Sequence, residues 1–324
     1  MNPTKPIRIA VLGGGNSAEA EVSRSSARAV CTALEVHNDF AVHAVELDET
    51  VTQTLAQLEP HVVFPALHGP PGEDGTVQGM LEMLNLPYVG STVQPSAFAM
   101  DKSVAKDLFR RAGLPVADDR VYAAEPSAQD RGAEKIAHDI VQALGERVVI
   151  KPMQQGSALG VTPLPEGGDI VGAVAHAFDL GERILVEPFV VGREITVGVL
   201  DLAGQAALAH PVIEITTATN EWYDYNNRYA EGGSAHVIPA PMADELRDHL
   251  QQMALLAHQC LGLRDLSRAD FILPANNEPV LLEVNTLPGM TPTSLYPDGA
   301  QGLGLDFPQL LRALVESALY RARP

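Results

Sequence analysis

Ile7-Arg8-Ile9-Ala10-Val11-Leu12 is an apolar run interrupted by one Arg, and Gly13-Gly14-Gly15 ends it directly before a helical pattern from about Ser17 to Leu34. A buried strand passed through a glycine turn into a helix is the opening of a parallel sheet, because parallel neighbours need a crossover connection. The alternation goes on with a strand at Ala41 to Leu47, a short helix near Thr52–Leu58, the strand Val62–Leu67 and a helical Gly75–Leu84. A small, doubly wound parallel sheet is expected over the first ~95 residues. Pro95 and Ser96 mark its expected end.

A chain of 324 residues exceeds one ordinary core. Three units are expected, residues 1–97, 98–186 and 187–324, giving a fold class of α/β plus α+β. In the second, the helix Asp101–Ala112 is stopped by Gly113-Leu114-Pro115, and strands Val116–Tyr122 and Val148–Lys151 flank the amphipathic helix Glu134–Leu144. The third is β-rich at Ile184–Phe189, Glu194–Leu200 and Gln205–Ile215. A polar Tyr/Asn-rich stretch, Asn220–Gly233, comes next, then a helix Asp244–Leu261, two short strands and a C-terminal helix Pro308–Arg321.

Charge narrows the partners. With 22 basic against 41 acidic residues the net charge is −19, which repels a phosphate backbone and excludes nucleic acid as a natural partner. An anionic small molecule needs basic groups placed singly. The apolar stretches are strand-sized and Met1 to Pro6 carries no signal-like segment, so no membrane association and a cytoplasmic location are expected. Cys31 and Cys260 lie in apolar helical patterns and read as small buried hydrophobes, not as a disulfide, nucleophile or metal ligand.

Chemistry concentrates at the C-terminal strands. Arg268-Ala269-Asp270-Phe271-Ile272-Leu273 and Val280-Leu281-Leu282-Glu283-Val284-Asn285, joined by the turn-rich segment 274–279, form an expected hairpin. With period-2 alternation Arg268 and Asp270 share a face of one strand, and Glu283 and Asn285 a face of the other. Two carboxylates and a carboxamide are hard oxygen donors, an incomplete set suited to Mg²⁺ that keeps waters and binds phosphates. The competing reading is a solvated outer face; Pro288-Gly289, which lets backbone approach a ligand, favours function.

A second cluster is Lys151 at a strand end followed by the Gly-bounded loop Gly156-Ser157-Ala158-Leu159-Gly160, an anion nest without the Gly-Lys-Ser/Thr of a Walker loop. Lys102 lies on the other side of the same unit. The N-terminal glycines satisfy G-x-G-x-x-A, which raises a nicotinamide-dependent oxidoreductase as a distant alternative, but Glu46 and Asp48 fall later than the ribose-holding distance and Glu35 sits at a helix end. Glu19 and Glu21 are expected in the first helical turn, where interaction with the helix dipole competes with any ligand role. His68 ends a parallel strand, where α/β sheets place ligand groups.

Taken in order, Gly14-Gly15-Asn16-Ser17-Ala18-Glu19, Leu67-His68-Gly69 with Gly72-Glu73-Asp74-Gly75, Met100-Asp101-Lys102, Lys151-Pro152 with Gly156-Ser157, Tyr223-Asp224-Tyr225 with Tyr229, Arg268-Ala269-Asp270, and Glu283-Val284-Asn285 with Pro288-Gly289-Met290-Thr291 resemble the D-alanine–D-alanine ligases of the ATP-grasp superfamily. The resemblance runs nearly the whole length. It implies a three-domain ATP-grasp fold in which Lys102 and Lys151 bind the ATP phosphates. Glu187 and the backbone near Phe189 and Val190 would hold adenine, Glu194 the ribose, and Asp270, Glu283 and Asn285 two Mg²⁺ (or Mn²⁺) ions. One D-alanine carboxylate would attack the γ-phosphate, and the second amine would displace phosphate from the acyl phosphate.

By the same resemblance Arg268 and the Gly289 backbone stabilise the tetrahedral oxyanion, Glu19 and His68 lie at the first substrate, and Ser294 meets the second carboxylate. Glu19, Ser157 and Tyr229 match a triad that latches a loop over the site. A homodimer and a role in peptidoglycan synthesis are implied. Ala158, Arg228 and Pro188 depart from the usual Ser, Lys and Lys, which keeps open a paralogous ligase with another acceptor. A non-catalytic binding module is disfavoured, since Lys102, Lys151, Asp270, Glu283 and Asn285 are all present.

Overall fold

The computed structural model describes residues 5–124, 131–217, 233–291 and 293–322. Its first unit is built from β1 (Ile7–Gly13), α1 (Ala20–Leu34), β2 (Phe40–Glu46), α2 (Val51–Leu58), β3 (Val62–Pro65) and α3 (Thr76–Met83). The three strands are parallel in the order β2-β1-β3. Alternation along β1 explains why both faces are covered: Ile9 and Val11 pack with α1, while Ala10 and Leu12 pack with α2 and α3. The doubly wound arrangement is the expected one.

Helix α1 starts three residues later than its pattern predicts. Ser17 Oγ donates to the His68 carbonyl (2.8 Å) and accepts from Glu19 N–H (3.2 Å), so the chain is still turning where a helix was expected. Gly14 and Gly15 hold φ of 76° and 93°, and their N–H groups donate to Ser23 Oγ (2.9 Å) and Glu46 Oε1 (3.3 Å). A carboxylate of the protein itself therefore covers the turn where a dinucleotide's pyrophosphate would sit. The G-x-G-x-x-A pattern here makes a turn, not a nucleotide fingerprint.

Helices α4 (Val93–Met100) and α5 (Lys102–Arg111) follow. Pro95 and Ser96, expected at the end of the first unit, lie in the first turn of α4, where the missing Pro N–H is not needed. Asp101 then separates the two helices, its carboxylate capping Ser103 and Val104 N–H (3.1 and 3.2 Å). Next come β4 (Arg120–Ala123), α6 (Arg131–Leu144), β5 (Val148–Pro152), β6 (Thr162–Leu164), α7 (Ile170–Phe178) and β7 (Arg183–Pro188). They form an antiparallel sheet, β4-β7-β5-β6, with α6 and α7 packed on Val148, Ile150, Ile184 and Val186. Alternation therefore sends Lys151 and Glu187 to the opposite face. The division expected after residue 186 falls inside β7, which stays paired with β5 through Pro188.

The remainder comprises β8 (Arg193–Asp201), β9 (Leu208–Ala209), β10 (Ile213–Thr217), β11 (Ser234–Val237), α8 (Asp244–Leu261), β12 (Asp265–Leu273), β13 (Val280–Asn285), α9 (Leu295–Gln301) and α10 (Phe307–Arg321). The sheet order is β11-β10-β8-β12-β13, with β9 beside β8. The single strand expected from Gln205 to Ile215 is split in two, with Pro211 in the gap. Helices α4 and α5 pack with α8 on this sheet, and α10 returns to pack on α1. Asp265, fully buried, fastens that return by accepting from Gly90 N–H (2.8 Å), Ser317 Oγ (2.8 Å) and Arg321 Nη1 (2.6 Å). Among the described residues no helix is long and apolar enough to cross a membrane.

His210 is enclosed between β8 and α9, with its ring 4.6 Å from that of Tyr296 and no hydrogen-bond partner for either ring nitrogen among the described residues. Burial pulls it down to about 3. The unfolded chain takes up this proton below about pH 6.5 while the folded chain does not, so its contribution is fully present above pH 6.5 and is lost progressively toward pH 3. His210→Leu is expected to flatten the acid side of the stability profile between pH 6.5 and 4 by about 1–3 kcal/mol, read by urea unfolding at several pH values. An unchanged slope would show that His210 does not couple folding to pH.

Candidate functional site

The β12–β13 hairpin sets the site's register. Asp270 stands opposite Glu283 and Arg268 opposite Asn285, and a bulge after Asp270 then shifts the pairing, so Phe271 faces Leu281. Two adjoining cavities open there, of about 640 and 740 Å³, sharing Lys102, Gln155 and Glu283. The first is bounded by residues from all three sheets' surroundings, including Glu19, His68, Ser157, Arg268, Asn285 and Gly289. The second lies between the two antiparallel sheets, against Val149, Lys151, Glu187, Phe189, Val190, Ile272 and Leu282. One is polar in its side chains and the other has apolar walls around a charged end.

In the first cavity Ser157 Oγ donates to Glu19 Oε1 across 138 residues of sequence. Glu19 is thus at the helix start without capping it, since no side-chain cap is made there. The loop carrying Ser157 has left-handed φ at Ser157 (47°) and Ala158 (58°), and a Cβ on Gly156 would come within 2.8 Å of Glu19 Oε2. Glycine leaves the Glu19 carboxylate room against the loop that a Cβ would press on.

His68 Nε2 and Ser26 Oγ are 3.0 Å apart, and burial, aided by the Arg268 charge, pulls His68 down to about 4. Glu73 accepts from Gly69 N–H (2.7 Å), yet burial, with the Glu19 carboxylate adding, pushes it up to about 8. Both groups therefore favour the neutral form at pH 7.

Arg268 grips Asp270 with two parallel bonds, Nε to Oδ1 (2.8 Å) and Nη2 to Oδ2 (2.7 Å), and Thr196 Oγ1 adds a third at 2.6 Å. Asn285 Oδ1 accepts from Leu287 N–H (2.9 Å), fixing the amide at the strand's end. Glu283 and Asn285 at the cavity, with Asp270 opposite Glu283 in the register, are hard oxygen donors that suit a divalent cation keeping its waters. No group of three His, Cys, Asp or Glu able to hold a metal occurs among the described residues.

Lys102 Nζ donates to the Gln155 carbonyl (2.7 Å) and lies 3.6 Å from Glu283 Oε2. Glu187 contacts both Lys106 and Lys151, one on each carboxylate oxygen. Burial works against both charges, but the two lysines hold Glu187 below the usual carboxylate range. Against the same penalty, Glu187 and Glu283 hold Lys151 above the usual lysine range. Phe189 N–H is occupied by the Arg147 carbonyl (2.8 Å), so any adenine donor must come from another backbone group.

Glu19, His68, Lys102, Ser157, Arg268, Glu283, Asn285 and Gly289 are brought round the first cavity, and Lys151, Glu187, Phe189 and Val190 round the second. Asp270, Glu194 and Ser294 are in neither lining. Asp270 is held back by Arg268; Glu194 sits in β8 opposite Ile272 and Ile215; Ser294, at the start of α9, bonds to Thr291 Oγ1 (2.8 Å). Tyr229 and Arg228, with most of the polar stretch 220–233, lie outside the described residues. Sequence reasoning assigned no role to Glu73, Lys106 or Thr196. Glu73 lies in a quoted motif, whereas Lys106, one turn beyond Lys102 on α5, and Thr196, in β8, carried no local signal.

The family model described as the D-ala D-ala ligase C-terminus matches residues 108–316, and the corresponding N-terminus model matches 48–91. The D-alanine–D-alanine ligase of Halalkalibacterium halodurans is 42% identical over 314 residues, 97% of this chain and 99% of that protein. That of Methylobacterium radiotolerans is 42% identical over 318 residues, 96% and 97% of the two chains. Among solved structures, the VanG D-Ala:D-Ser ligase of Enterococcus faecalis aligns with TM-score 0.80 at 29% identity, covering 97% of this chain and 100% of its own. The D-alanine–D-alanine ligase of Bacillus anthracis complexed with ATP aligns with TM-score 0.80 at 27% identity, covering 98% of each.

Proposed function

This chain belongs to the D-alanine–D-alanine ligase family, and from that premise we propose how its residues divide the reaction. It is an ATP-dependent ligase of the ATP-grasp fold that joins two D-alanines into D-alanyl-D-alanine for cell-wall synthesis. The observation that carries the division of roles is the opposed register of Asp270 with Glu283 and Arg268 with Asn285, beside a cavity whose other wall is Lys102 and the Gly156–Ser157 loop.

ATP enters the second cavity. Its base is enclosed by Val149, Phe189, Ile272 and Leu282, with Glu187, the Phe189 carbonyl and the Val190 backbone at the edge and Lys102 and Lys151 for the phosphates; Glu194, in the adjoining strand β8 outside this lining, is assigned to the ribose. Asp270, Glu283 and Asn285 would hold two Mg²⁺ ions, which would supply charge neutralisation and orientation at the transferring phosphoryl group. The first D-alanine occupies the other cavity, its ammonium toward Glu19, with His68 neutral beside it. Arg268 and the Gly289 N–H face the carbonyl on which negative charge develops when the second amine attacks the acyl phosphate.

Ser294 directs the second carboxylate. Glu19 and Ser157, hydrogen-bonded to each other, close one side of the first cavity against water, which protects the acyl phosphate. Three working units, the second carried through β7 to Pro188, a homodimer and a cytoplasmic location complete this reading.

A second reading, in which the acceptor is not D-alanine, is favoured by the likeness to a D-Ala:D-Ser ligase and by Ala158 in the phosphate loop. Phosphate release from ATP·Mg²⁺ with single and paired D- and L-amino acids and D-lactate, with products identified by mass, separates the two. Release with D-alanine alone, yielding D-alanyl-D-alanine, is expected. Release only with an unequal pair would select the second reading; no release with any pair would overturn both.

A further inference from the structure

Helix α5 supplies two lysines, Lys102 and Lys106, four residues apart and therefore on one face. Lys102 lines both cavities, whereas Lys106 is 1% exposed and touches neither lining. Its Nζ instead bonds Glu187 Oε1 and lies 3.5 Å from Asp119 Oδ1. Asp119 is itself paired with Arg110, so it is not left to Lys106 alone. Glu187, 3% exposed, gives its other oxygen to Lys151. Two buried cations thus share one buried carboxylate, and only one of them, Lys151, opens on the cavity.

A buried carboxylate cannot be left without a cation: removing one partner of a buried pair is far more costly than keeping the pair. If Lys151 is to turn toward a phosphate, something else must keep Glu187 paired. We infer that Lys106 is a positioning residue for nucleotide binding, holding Glu187 in place so that Lys151 can exchange that carboxylate for a phosphate. This rests on the nucleotide reading of the second cavity. Without Lys106, Lys151 is the only cation that contacts Glu187 among the described residues, and it stays there. The base edge of the cavity keeps its shape, while the phosphate end loses a cation.

The test compares ADP with adenosine, each in excess Mg²⁺, by competition against a fluorescent nucleotide on the full-length protein. Lys106→Met is expected to weaken ADP about tenfold or more while adenosine changes less than about twofold. In Lys106→Met/Glu187→Gln no buried carboxylate competes for Lys151, so the preference for ADP over adenosine recovers most of the way to that of Glu187→Gln alone. Equal loss of ADP and adenosine in Lys106→Met, no loss of either, or no recovery in the double variant would each overturn the inference. If the unaltered protein bound ADP no better than adenosine, the nucleotide reading of the cavity would fall first, and the role of Lys106 with it.

Discussion

Glu283→Gln is expected to lower kcat by about 10²–10³-fold or more while leaving the fold intact, because the substitution keeps the side chain's shape and removes one of two carboxylates facing each other across the β12–β13 register. The side chain is 34% exposed and its nearest cation, Lys102, is 3.6 Å away with the Gln155 carbonyl as a second partner, so little packing or pairing energy is at risk. Steady-state kinetics at saturating Mg²⁺, with a thermal midpoint within a few degrees of the unaltered protein, would give this result. A variant turning over at the unaltered rate would remove the hairpin from the metal-holding role proposed for it.

Arg268→Lys carries the second large effect. Lys keeps the positive charge but cannot make the two parallel bonds that Arg268 makes to Asp270, nor present a planar fork to a developing oxyanion. A fall in kcat of about 10²-fold is expected, with ADP affinity changed by less than about threefold, since the proposed role is exerted on the tetrahedral species and not on the nucleotide. Equal losses in kcat and ADP affinity would indicate that Arg268 only holds Asp270 in place. An unchanged kcat would exclude both roles.

The difference between these variants and Lys106→Met shows where the sequence is informative. Arg268, Asp270, Glu283 and Asn285 lie on two strands joined by a short turn, and strand alternation puts each pair on one face; the structure adds the register, Asp270 opposite Glu283 and Arg268 opposite Asn285. Lys102 and Lys151 were found at the ends of regular elements, where periodicity stops and a polar residue stands out. Glu19 was placed in the first turn of a helix, and the structure moves it to the cap position, because Ser17 bonds the His68 carbonyl and delays the helix. That contact spans 51 residues, which no local pattern records.

Alternation of apolar residues, glycine turns and proline positions thus determined the strands, the helices, the doubly wound first unit and the carboxylate hairpin, since each depends on groups within a few residues of one another. Pro95 carries no such local signal: whether a proline breaks a helix depends on which turn it occupies, and here it sits in the first turn of α4.

Tertiary structure alone decided the protonation preferences and the charge sharing. Glu73 rises to about 8 and His68 falls to about 4 because both are buried, and Glu187 is divided between Lys106, 81 residues earlier, and Lys151 in the neighbouring strand. Desolvation and Coulomb energies depend on what surrounds a group in space. The sequence specifies which groups are present, and the packing of α5, β5 and β7 decides which of them share a charge.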